Sequence, residues 1–130
     1  MKKNVLVVED DQLLAEVYRH VLQNDGFKVE IANDYQTALS KFKAKRISIV
    51  VLDIILGGKN GFEVLKAFRM QPGGREVPIV IITGMNTQDL DMDKELMVSL
   101  NILGVHTKSQ FSIKEFSNLI SNYINLYERT

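Results

Sequence analysis

The chain contains no cysteine. Disulfides, thiol catalysis and thiolate metal sites are excluded, and a reducing cytoplasmic setting fits. It also lacks net charge, because sixteen basic and sixteen acidic residues cancel. Without a broad basic field, direct nucleic-acid binding is not expected. Long apolar runs are missing too. The start Met1-Lys2-Lys3 suits a signal peptide, but the run Val5–Val8 stops at Glu9. A signal core needs roughly 7–15 apolar residues and a membrane span roughly 18. Neither export nor membrane insertion is expected, and the cytoplasm is the expected location.

What is present is an ordinary globular composition: 130 residues, 45% hydrophobic and 25% charged. That length suits one domain spanning residues 1–130. Four apolar runs read as buried strands: Val5–Val8, Ile47–Leu52, Val77–Ile82 and, more weakly, Gly104–Thr107. A fifth, Phe27–Ala32, follows the turn signal Asp25-Gly26. The stronger runs are β-branched and apolar on both faces, as in strands covered by helices on both sides.

Helical spacing separates these runs. Leu13, Leu14, Val17, Val21 and Leu22 form one face. Ala38, Leu39 and Phe42 form a second, and Val64, Leu65 and Phe68 a third. Leu96, Met97 and Leu100 suggest a fourth. Phe116, Leu119, Ile120, Tyr123, Ile124 and Tyr127 mark a long last helix, with Ser112 placed to cap it. Gly57-Gly58 and Gly73-Gly74 read as loops, and no repeat or linker stands out. Five strand–helix alternations predict an α/β fold of flavodoxin-like (βα)5 type, a three-layer sandwich around a parallel sheet of order 2-1-3-4-5.

In such sheets ligands bind beyond the carboxyl ends of the strands. Glu9, Asp10 and Asp11 end the first run, Asp53 the third, Thr83 the fourth and Lys108 the fifth. Their chemistry fits phosphorylation of a carboxylate. Asp53 is the candidate nucleophile. Clustered carboxylates repel each other and an incoming phosphoryl group, and Mg²⁺, which favours oxygen ligands, reduces both repulsions. Asp10 and Asp53 are candidate direct ligands, with Glu9 acting through water. Lys108 would neutralise phosphoryl charge, and Thr83 would donate its hydroxyl to a phosphoryl oxygen. Gly84 leaves room beside it.

Taken singly, these residues have plainer readings. Acidic pairs after strands are often solvated caps, and Asp11 reads as a helix cap rather than a ligand. Asp53 alone could cap a loop. A lone Thr83 or Lys108 is more often structural. His20 reads as a helix-surface residue and His106 as a packed histidine. Leu126 and Tyr127 either finish the core or form a partner patch. The methionines read as packing residues.

Together the motifs resemble the bacterial two-component response-regulator receiver domain, over nearly the whole chain. The matching stretches are Val5-Leu6-Val7-Val8-Glu9-Asp10-Asp11, Val51-Leu52-Asp53 followed by Gly61, Ile82-Thr83-Gly84, and Lys108. The resemblance implies a stand-alone phosphorelay switch that accepts a phosphoryl group on Asp53 with Mg²⁺. The donor would be a sensor histidine kinase or a histidine-phosphotransfer protein. It further implies the Ile55 backbone carbonyl as a metal ligand, an unidentified downstream protein target and a phosphorylation-dependent dimer. The output surface would lie on the fourth helix, last strand and last helix. Catalysis would extend only to phosphoryl uptake and slow self-dephosphorylation, so the chain is not expected to be an enzyme.

Several positions depart from the family pattern. Gly57 stands where many members have proline, and Asn60 where an acidic residue often precedes the glycine. The stretch from Thr83 to Lys108 runs a few residues long, near Asn86–Asp93. Val105 occupies the usual aromatic switch position, and Ser109 replaces a proline whose peptide bond is commonly cis. The Lys108–Ser109 bond is expected to be trans, since cis costs about 2.5–4 kcal/mol before a non-proline residue. Ile55 and Met85 would flank the line of water attack on the acyl phosphate and slow its decay. Three alternatives remain. One is a binding module that signals without phosphorylation. Another is a haloacid-dehalogenase-type phosphatase, which would need an Asp where Ile55 stands. The third is a flavodoxin-like cofactor carrier, which lacks a glycine loop after the first strand.

Overall fold

The computed structural model describes residues 2–84 and 94–129, without the side chains of residues 94, 96, 128 and 129. Five strands form one sheet: β1 (Asn4–Val8), β2 (Lys28–Ala32), β3 (Ile49–Asp53), β4 (Ile79–Thr83) and β5 (Ile102–Thr107). All neighbours pair in parallel, in the order β2-β1-β3-β4-β5. This is the expected topology. The helices are α1 (Gln12–Asn24), α2 (Tyr35–Ala44), α3 (Phe62–Met70), α4 (Lys94–Ser99) and α5 (Ile113–Arg129).

Alternation along each strand builds two cores. Leu6, Val8, Val50, Leu52, Ile79 and Ile81 point to one face, beneath Phe42, Leu65 and Phe68 of α2 and α3. Val5, Val7, Ile49, Val51, Val80 and Ile82 point to the other, beneath Tyr18 of α1 and Phe116 and Ile120 of α5. Each fully buried aliphatic side chain contributes roughly 1.5–3 kcal/mol. Stacked rings join the helices in pairs, Phe42 on Phe68 at 4.7 Å and Tyr18 on Phe116 at 4.0 Å.

The boundaries moved for physical reasons. β4 begins at Ile79 rather than Val77, directly after Pro78, which has no N–H to give a ladder. β3 runs to Asp53 and β4 to Thr83, so both polar residues are the last of their strands. The Gly57-Gly58 stretch, expected as a loop, is the turn of a small hairpin pairing Ile55–Leu56 with Lys59–Asn60. Both glycines have positive φ, 56° and 79°, the backbone a tight two-residue hairpin turn requires. The peptide between Lys108 and Ser109 is trans, and no cis bond occurs among the described residues.

The expected α1 face is right in part: Leu22 is buried, and Leu14 and Val21 pack partly against the second core. On α1 the buried residues are Ala15, Tyr18 and Leu22, while Leu13 and Val17 are 76% and 39% exposed. The face is centred on an amphipathic tyrosine and a small alanine, which a search for aliphatic spacing undervalues. The caps agree with expectation. Asp11 accepts a hydrogen bond from the Leu14 N–H, and Ser112 and Glu115 exchange backbone-to-side-chain hydrogen bonds at the start of α5. His20 is exposed. Met97 and Leu100 pack partly against the first core. Met85 and the stretch Asn86–Asp93 lie outside the described residues, as does the side chain of Leu96.

Candidate functional site

The parallel sheet puts every strand's carboxyl end at one edge, and the acidic residues follow. Glu9 comes directly after β1 and is 1% exposed. Its backbone N–H donates to the Ala32 carbonyl at 3.0 Å, which fixes the turn out of the strand. Asp53 is 6% exposed and Thr83 fully buried. Lys108 follows β5 and opens a short 3-10 turn, Lys108–Gln110.

The side chains converge. The Lys108 ammonium donates to Asp53 Oδ2 at 2.9 Å and also to Glu9 Oε1. The other Asp53 oxygen, Oδ1, accepts from the Ile55 N–H at 3.1 Å. Asp10 is exposed at the mouth, and its Oδ2 accepts from the Gly57 N–H at 3.0 Å. Thus Glu9, Asp53 and Lys108 are bonded directly. Asp10 is tied to the hairpin after β3, and Ile55 reaches Asp53 through its N–H. Thr83 ends the strand next to β3 and pairs in register with Thr107. A Cβ at Gly84 would meet nothing within 4 Å, so the space beside Thr83 is open.

The electrostatics follow from burial. Desolvation pushes the Glu9 carboxyl above its ordinary range, although the hydrogen bond and charge of Lys108 pull it back. Burial alone would lower the Lys108 ammonium, but its bonds to Glu9 and Asp53 outweigh that and hold it above its ordinary value. Carboxylate oxygens of Glu9, Asp10 and Asp53 all lie within 4.8 Å of one another. An all-oxygen, all-carboxylate set with one exposed member fits a hard divalent cation such as Mg²⁺.

Tyr35 was missed in the sequence. Its hydroxyl lies 2.8 Å from the Ile54 carbonyl and 3.0 Å from the Asp53 carbonyl, pinning the chain just after the candidate nucleophile. Gly61 makes room for it, because a Cβ there would stand 2.8 Å from the hydroxyl. Gly61 was noticed, but only the fold reveals its partner. His106 behaves as a packed residue: it is half-buried and shares a 2.7 Å hydrogen bond with the Tyr123 hydroxyl.

Comparison with known proteins agrees with this geometry. The family model for the response regulator receiver domain matches residues 5–117. The DNA-binding response regulator MtrA of Mycolicibacterium smegmatis is 39% identical over 83 residues, covering 64% of this chain and 35% of that protein. The transcriptional regulatory protein MalR of Bacillus subtilis is 37% identical over 89 residues, covering 67% of this chain and 37% of that protein. The chain therefore spans little more than a third of these relatives' length.

Among solved structures, the chemotaxis response regulator CheY4 of Vibrio cholerae superposes with a TM-score of 0.80 at 26% identity, covering 94% of this chain and 98% of that one. The receiver domain of the sensor histidine kinase PA1611 from Pseudomonas aeruginosa has a TM-score of 0.75 at 22% identity, covering 96% and 99%. That structure holds a magnesium ion in its active-site cleft. No described helix here is long and apolar enough to cross a membrane. From strand-end chemistry, sheet order and family match together, the chain belongs to the response regulator receiver domains, phosphorylation-dependent switches of two-component signalling.

Proposed function

We propose that Asp53 is the phosphoacceptor, served by Lys108, Thr83, Glu9 and Asp10, and that residues 1–130 act as one receiver module. The observation that carries this reading is the direct bonding of buried Asp53 to Lys108, with the second acidic strand end, Glu9, on the same ammonium. An Asp53 oxygen attacks the phosphorus of a phosphohistidine on a sensor kinase or phosphotransfer protein. The O–P bond forms as the N–P bond breaks, and the leaving imidazole nitrogen takes its electron pair and then a proton from water. Lys108 passes from the carboxylate to the phosphoryl oxygens, where its charge is needed. Thr83 donates its hydroxyl to another of those oxygens.

Glu9, Asp10, Asp53 and the Ile55 carbonyl would hold Mg²⁺, which when bound offsets the repulsion between phosphoryl and carboxylate oxygens. Ile55 then flanks the path of hydrolytic water, and its apolar side chain orients none. The module is a phosphoacceptor, not an enzyme with its own turnover. Its signal leaves through α4, β5 and α5, with Met97, Leu100 and Tyr127 supplying contact surface to a downstream protein or a second copy. We assign it no direct nucleic-acid contact and a cytoplasmic location.

The test is intact-mass analysis after incubation with a small phosphodonor, with and without Mg²⁺. Wild type should gain one phosphoryl group only with the cation, and Asp53→Asn none. Equal uptake by Asp53→Asn would overturn the assignment.

A further inference from the structure

The opposite end of the sheet has its own chemistry. Because all five strands run parallel, residues that precede strands gather at one end and residues that follow them at the other. The following residues include Glu9, Asp10, Asp11 and Asp34. The preceding or opening residues include Lys2, Lys28, Lys45 and Arg46. A chain of zero net charge is therefore dipolar along its strands.

At the basic end lies a groove of about 900 Å³. Lys2, Lys28, Lys45 and Arg46 line it, and Glu76 is the one carboxylate among its lining residues. None of those four cations has an ion-pair partner among the described residues. Its remaining lining includes the apolar side chains of Ile47, Val77 and Ile124. The rim is held in place by backbone: Ser48 N–H donates to the Asn4 carbonyl at 2.8 Å, and Lys28 N–H to the Lys3 carbonyl at 2.8 Å.

We propose that this groove docks an extended acidic segment of a partner protein, with acidic side chains on the cationic rim and apolar ones on the groove's apolar lining. Charge complementarity selects the occupant. A polyanion is drawn to this end and repelled from the carboxylate end, so it is steered away from the phosphoryl pocket. Concavity and apolar lining favour a peptide over a lipid surface, which needs a convex or flat contact. They also favour it over a duplex, whose outer surface is dominated by phosphate oxygens and has no side chain to insert into such lining. The two sites are at opposite strand ends, so a partner can remain docked while Asp53 changes state.

The probe is a short fluorescein-labelled peptide of glutamates interspersed with leucines, followed by fluorescence anisotropy with the intact chain. Wild type should bind it, more weakly as salt rises. Lys45→Glu with Arg46→Glu should weaken binding about tenfold or more. The second pair, Lys2→Glu with Lys28→Glu, should do the same, so the result does not hang on one variant's folding. Lys114→Glu, a reversal at the start of α5, should leave binding unchanged. Amide shifts should map to residues 2–4, 28, 45–48, 76 and 77. Absence of binding to wild type, or equal binding by both reversed pairs, would overturn the proposal. So would binding of phosphatidylserine vesicles or duplex DNA through these cations while the peptide is ignored. None of these readouts involves Asp53, so their failure is separable from failure of the phosphoacceptor assignment.

Discussion

A methyl group at Gly104 would lie 2.0 Å from the Tyr123 hydroxyl and 3.0 Å from His106 Nε2. The glycine is there because α5 lays its tyrosine across β5. Gly104→Ala should therefore destabilise the fold by about 1–3 kcal/mol, read from urea melts, and Tyr123→Ala should remove most of that cost. The neighbouring histidine sets a pH dependence. Burial holds His106 below its ordinary value of 6.5. The folded chain then binds fewer protons there than the unfolded chain, so stability present above that value falls as pH drops through it. His106→Gln should flatten the slope of stability between about pH 7 and the lowered folded value. An unchanged slope would place the titration elsewhere. Residue-scale chemistry was legible where residue type announces it, as with Asp53 and Lys108. Tyr35 and Tyr123 were not, because a tyrosine hydroxyl acquires its role only from the carbonyl or ring that packing brings to it.

Arg69 is the element-scale counterpart. From α3 its guanidinium donates to the carbonyls of Leu100, Gly74 and Val77 at 2.6 Å each, and of Asn101 at 3.1 Å. It faces no carboxylate in these bonds, and burial lowers its pKa to about 10. One side chain thus clamps the end of α4 and the approach to β4 onto α3. Arg69→Met should cost on the order of 2 kcal/mol, since it strands buried carbonyls without donors. Amide exchange should quicken around Leu100 and Asn101, while a change confined to α1 would contradict the clamp. Such multi-carbonyl clamps leave no sequence signature; Arg69 reads as one more polar residue between apolar ones. The strands β1, β3 and β4 were legible because a strand covered on both faces is apolar throughout, and α3 because its buried Val64, Leu65 and Phe68 recur at helical spacing. The α1 face was legible only in part: Leu14, Val21 and Leu22 pack inward as their spacing implies, but Ala15 and Tyr18 share the face while the aliphatics Leu13 and Val17 are exposed. Asp11→Ala should cost α1 about 1 kcal/mol, the usual value of such a cap.

For the whole molecule, the carboxylate end is a source of repulsion that a cation relieves. Thermal melts in rising Mg²⁺ should shift upward, by the linkage that stabilises any state to which a ligand binds preferentially. Asp10→Asn should blunt the shift, and a wild type indifferent to millimolar Mg²⁺ would argue against the acidic pocket. The basic groove has a different consequence. Lys2, before the first strand, and Tyr127, near the end of the last helix, line the same groove. The sheet interior separates neither from the other, so a short Gly/Ser bridge could make the backbone a closed ring without crossing the core. The order in which elements are met along the chain is then free to change. A circular permutant opened at the exposed Asp25–Gly26 turn should still melt cooperatively and keep the same sheet order.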